Sequence, residues 1–79
     1  MYKILIVEDD ETIAGGLKNH LGKWNYQAEC MTDFKDVMGK FVDFEPQLVL
    51  LDIVLPFFNG FHWCQEIRKI SKVPIIFLS

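Results

Sequence analysis

Cations, cysteines and long apolar runs are all scarce in this 79-residue chain. Eight Lys and Arg against eleven Asp and Glu leave a net charge of −3. Without clustered cations to meet phosphates, the composition argues against a dedicated nucleic-acid surface in these residues. The two cysteines, Cys30 and Cys64, sit in apolar patterns without C-x-x-C spacing, which favours reduced core thiols over a disulfide or metal site. No apolar run reaches the ~20 residues that cross a bilayer. The first run meets acid at Glu8 after four apolar residues, too soon for the core of a signal peptide. A cytoplasmic protein without a membrane contact is expected. Repeats, low-complexity stretches and internal linkers are missing too, so the chain is read as at most one domain.

What it has in quantity is apolar side chains, 51% of the total. A single core at this length gives only about 3 to 5 kcal/mol. The high apolar fraction suits part of a larger domain, and the closing run Val73 to Leu78, followed by Ser79, carries the expectation of an incomplete fold.

Periodicity gives an alternating pattern. Ile4 to Val7 reads as a buried parallel strand ending at Glu8. Ile13, Ala14, Leu17 and Leu21 then recur at helical spacing, predicting a helix from Asp10 or Glu11 to Lys23. After a turn at Asn25, Tyr26, Ala28 and Cys30 alternate with polar residues as in an edge strand. Thr32 or Asp33 is expected to open a second helix bearing Phe34, Val37, Met38 and Phe41, closed by Asp43, Glu45 and Pro46. Gln47 to Pro56 holds a third strand, and Asn59-Gly60 turns into a helix carrying Trp63, Cys64, Ile67 and Ile70. Ser71 and Lys72 close it before a strand at Ile75 to Leu78. The order βαβαβαβ implies a parallel α/β sheet with right-handed crossovers. Strand carboxyl ends then share one edge, so Glu8, Asp9, Asp52 and Ser79 should converge.

Four adjacent carboxylates, Glu8 to Glu11, need explanation. Asp10 and Glu11 suit the cap and positive end of the first helix. Glu8 and Asp9 remain, and carboxylates 4 Å apart repel by about 4 kcal/mol at an effective dielectric of 20. A divalent cation answers this economically, and Mg²⁺ suits a sparse acidic site because it takes one or two carboxylates and keeps waters. Asp52, alone at the end of an apolar strand, lies either where open α/β sheets bind ligands or in a loop that happens to follow a core strand.

Ile-Val-Glu-Asp-Asp at 6 to 10, Leu-Asp-Ile-Val-Leu-Pro at 51 to 56, Asn59-Gly60 and Pro-Ile-Ile-Phe-Leu-Ser at 74 to 79 together resemble the receiver domain of two-component response regulators. The finer wording at Phe61, Trp63 and Cys64 resembles the OmpR/PhoB-type transcriptional regulators. The resemblance implies a flavodoxin-like, doubly wound sheet of order 2-1-3-4, with strand five and helices four and five absent, so that residues 1–79 form a partial receiver without an output domain. It assigns Asp52 as phosphoacceptor and places Mg²⁺ on Asp9, Asp52, the Val54 carbonyl and, through water, Glu8. Ser79 would contact the phosphoryl group. The implied donor is a phosphohistidine on a sensor histidine kinase, and DNA would be reached only through a C-terminal output domain.

The family's lysine after strand five has no counterpart, so weak Mg²⁺ binding and poor phosphorylation are expected of these residues alone. Strand four, as an edge, is expected to support self-association. Phe57 and Phe58 replace more polar family residues and are read as packing on the third helix, with a kinase contact as the alternative. His20 and His62 lack a second ligand at metal spacing and are read as surface residues. Two rivals remain: an interaction module working by pairing alone, and a haloacid-dehalogenase-type phosphatase. The latter's Asp-x-Asp-x-Thr frame falls on Glu8, Asp10 and Thr12. The longer glutamate would misplace the nucleophile there, and Asp52 would have no role.

Overall fold

The computed structural model describes residues 1–78. The four strands are β1 (Lys3–Val7), β2 (Gln27–Cys30), β3 (Leu48–Asp52) and β4 (Ile75–Leu78). They alternate with α1 (Glu11–Lys23), α2 (Val37–Phe44) and α3 (Gly60–Arg68). All neighbouring strands are parallel, in the order β2-β1-β3-β4. The parallel α/β pattern is the one the periodicity predicts, and the order is the one the receiver resemblance implies.

β1 and β3 are apolar on both faces because both faces are covered. Leu5, Val7, Val49 and Leu51 pack with Val37, Phe41 and Phe44 of α2 and Trp63 and Ile67 of α3. Ile4, Ile6 and Leu50 face the other way, toward Ala14 of α1, with Leu17 and Leu21 half-buried beside them. The central register pairs Val7 with Leu51. Residues 8 and 52 therefore stand side by side at the carboxyl edge of these two strands.

Three local expectations are corrected. α2 opens at Val37, not at Thr32 or Asp33, because Asp33 is used in a turn of its own. Its carboxylate accepts from the Lys35 amide at 3.0 Å and its carbonyl from the Asp36 amide at 3.1 Å. Asp36 is the N-cap, accepting from the Gly39 amide at 3.0 Å. Ile13, expected on the inner face of α1, is 50% exposed; with Ala14, Leu17 and Leu21 against the sheet, it lies about 100° around the helix from Ala14. α3 ends at Arg68, so Ile70 lies beyond it and is exposed. The Arg68 guanidinium donates to the Val73 carbonyl at 2.6 Å, holding the chain as it leaves the helix.

Candidate functional site

Two apolar strands deliver the acids to one edge. Past Val7, Glu8 is buried, 8% exposed, and its Oε2 accepts from the Asp10 amide at 3.0 Å. Asp9 is exposed and Asp52 half-buried. Glu8, Asp9 and Asp52 each offer a ligand oxygen, and these atoms lie within 4.8 Å of one another. Burial raises the Glu8 carboxyl above its ordinary range, opposed by the Asp10 amide and reinforced by the Asp52 charge. Carboxyl oxygens alone, gathered this closely around a half-open position, are hard ligands of the kind Mg²⁺ takes.

The neighbouring Asp10 is committed elsewhere. Asp10 caps α1, its Oδ1 accepting from the Thr12 amide at 3.0 Å and the Ile13 amide at 3.2 Å. That leaves Asp10 as a helix cap, the reading the sequence offered, and removes it from the role the phosphatase frame required.

Asp52 is held by its own chain. Its Oδ1 accepts from the Ile53 amide at 2.8 Å. Val54, two residues into the following loop, is 78% exposed. Ser79 lies outside the described residues; in the register of β3 and β4, Asp52 pairs with Leu78, its neighbour in sequence.

The aromatic pair after Pro56 divides. Phe58 stacks on His62 of α3, with ring centroids 4.2 Å apart, and meets Trp63 edge-on at 5.5 Å, which is the local packing expected. Phe57 is turned outward. It adopts a left-handed backbone, φ 68°, is 66% exposed, and lies beneath the Lys35 ammonium at 4.9 Å.

Sequence reasoning read Asn59-Gly60 only as a turn. Asn59 is the N-cap of α3, its Oδ1 accepting from the His62 amide at 2.9 Å, and Gly60 lies against the backbone of Asp52. A glycine directly after a capping residue and just past a buried strand was the available signal. The cleft of about 240 Å³ beside Glu8 and Asp9, bordered by Cys30, Met31, Thr32 and Phe34, had none.

A four-stranded parallel sheet in this order, with acids gathered beyond β1 and β3, defines a receiver-like domain of the flavodoxin-like class. Residues 4–79 match the response regulator receiver domain, and the chain belongs to that family. It is 53% identical over 79 residues to the transcriptional regulatory protein YvcP of Bacillus subtilis, covering all of this chain and 33% of that protein. The chain thus spans about a third of the length of the curated relatives it matches. Among solved structures it is similar to the N-terminal domain of the nisin resistance regulator NsrR, with TM-score 0.93 and 48% identity, covering 100% of this chain and 67% of that one. It is also similar to the response regulator TrrA of Thermotoga maritima, solved with Mg²⁺ and a beryllium fluoride. In that form the TM-score is 0.88 at 33% identity, with 98% of this chain and 68% of that one covered. TrrA in complex with the histidine kinase ThkA matches with TM-score 0.88 and 34% identity, over 100% of this chain and 69% of that one. No helix among the described residues is long and apolar enough to cross a membrane.

Proposed function

We propose that Asp52 is the phosphoacceptor of this receiver and that Glu8, Asp9 and Asp52, with the Val54 carbonyl, hold a Mg²⁺ ion. The observation that carries this reading is the convergence of the three carboxylates, ligand atoms within 4.8 Å, at the carboxyl edge of the sheet. Asp9 and Asp52 would bind it directly and Glu8 through water. Such an ion, when bound, would supply positive charge to the oxygens of a transferring phosphoryl group.

The Ile53 amide holds one oxygen of Asp52, leaving the other as nucleophile. That oxygen attacks the phosphorus of a phosphohistidine in line, an O–P bond forms, the P–N bond breaks and the electron pair leaves on the imidazole. Hydrolysis of the aspartyl phosphate by water resets the site. Ser79, which follows Leu78 in sequence, is the proposed hydrogen-bonding contact of the bound phosphoryl group.

A sensor histidine kinase is the proposed donor, supported by TrrA's complex with a histidine kinase. Residues 1–79 serve as the phosphoacceptor part of a cytoplasmic regulator whose DNA contacts lie in a C-terminal output domain, as the transcriptional relatives support. Incubation with a small phosphodonor and Mg²⁺ tests the reading. Mass spectrometry should find one hydroxylamine-labile phosphoryl group, lost in Asp52→Asn and retained in Asp10→Asn. A label that survives Asp52→Asn overturns it.

A further inference from the structure

The first residue of α3 rests on the peptide that links Asp52 to Ile53. We propose that Gly60 is a positioning residue for Asp52, its missing side chain letting α3 clamp that peptide plane and so aim the carboxylate. The consequence for phosphorylation rests on the reading of Asp52 given above.

Gly60 is buried, and a Cβ built there would overlap the Asp52 carbonyl oxygen and come within 3.0 Å of the Asp52 carbonyl carbon and of Ile53 Cα. All three are backbone atoms, so no side chain can swing aside to make room. The requirement is steric, not conformational, because Gly60 does not have a positive φ. The Gly60 amide also donates to the Ile53 carbonyl at 2.8 Å, tying the helix to the residue after Asp52.

The clamped peptide is the one whose N–H donates to Asp52 Oδ1 at 2.8 Å. Any tilt that admits a side chain at position 60 therefore turns the donor that holds the carboxylate. Retreat of α3 is opposed by Trp63, 5% exposed, and Ile67, fully buried, which anchor the helix in the core. Asn59 fixes the same turn by capping but adds no atom against Asp52 in the contact described. It is the natural control.

Gly60→Ala and Asn59→Ala are compared with the wild-type chain by circular dichroism, by hydrogen exchange of the Ile53 amide, and by Mg²⁺ titration followed through tryptophan fluorescence. Gly60→Ala, while folded, should lose Ile53 protection at least tenfold relative to core amides and bind Mg²⁺ at least tenfold more weakly. Asn59→Ala should fall in stability yet stay within twofold of wild type in both readouts. A folded Gly60→Ala with wild-type Ile53 exchange overturns the proposal, as does an equal loss in Asn59→Ala. If the wild-type chain ignores Mg²⁺, the metal reading fails, while the Ile53 comparison still decides the positioning. If Gly60→Ala does not fold, exchange in the wild type decides: joint protection of the Gly60 and Ile53 amides supports the clamp, and loop-like exchange of either overturns it.

Discussion

Glu8 and Asp52 stand one step beyond Val7 and Leu51, the last pair joining β1 to β3, with carboxyl oxygens within 4.8 Å. The buried member of the pair bears the electrostatic cost. Burial raises the Glu8 carboxyl, and the Asp52 charge adds to the rise. A raised carboxyl in the folded state favours folding below its unfolded value of 4.5, and that contribution is lost as pH rises through the folded value. Glu8→Gln should therefore be more stable than wild type at pH 7 without Mg²⁺, the difference shrinking toward pH 4.5. Urea unfolding at several pH values measures this, and a gap that widens on acidification refutes it. Added Mg²⁺ should stabilise wild type more than the variant, because the cation favours the carboxylate.

Phe57 is held in a left-handed conformation that costs an L-residue about 1 to 2 kcal/mol and glycine little. Its partial compensation is the Lys35 ammonium over the ring, worth roughly 0.5 to 1 kcal/mol at an exposed site. Phe57→Gly should stabilise the fold by about 0.5 kcal/mol, after allowing for the lost contact and the entropy of the unfolded chain. Lys35→Ala should cost a similar amount in wild type and nothing once Phe57 is gone. Chemical denaturation of the four members of this cycle decides it, since independent effects would mean that the two side chains do not interact.

The start of α2 gives a sharper test of local competition. Asp36 caps the helix and Asp33 caps only the turn before it. Asp36→Ala should lower stability by about 1 kcal/mol, the usual loss of an N-cap, and Asp33→Ala by less than half of that. Thermal melts with near-equal losses, or the reverse order, would return the helix start to Asp33.

These cases mark what the sequence could disclose. Strand identity was legible because Ile4 to Val7 and Leu48 to Leu51 are apolar on both faces, as strands of a covered parallel sheet are, whereas the strand order came from the receiver resemblance. The acid edge followed from topology, since parallel strands end together and Glu8 and Asp52 each terminate one. The α2 boundary was not legible, because Asp33 and Asp36 are equally good caps and only the packing of Phe34 and Val37 against the core chooses between them. The Gly60 contact was missed for another reason: it joins the start of a helix to the end of the preceding strand, an approach that no periodicity reports and that only a glycine directly after a capping residue signals.

The two edges of the described sheet differ in a way that bears on association. β2 carries Gln27 and Glu29, and Glu29 pairs with Lys40. β4 is Ile-Ile-Phe-Leu, with Ile76 52% and Phe77 38% exposed and the Phe61 ring 5.2 Å from that of Phe77. Charge protects a sheet edge from pairing, and its absence leaves a template for another strand. We expect this chain to associate with a second copy through β4 in a concentration-dependent manner. Ile76→Lys, at a half-exposed position, should reduce association while costing little stability, and Glu29→Lys at the opposite edge should leave it unchanged. Sedimentation equilibrium across a wide concentration range provides the measurement. A wild-type chain that stays monomeric at the highest concentration, or an Ile76→Lys variant that associates as wild type does, would rule out β4 as the contact.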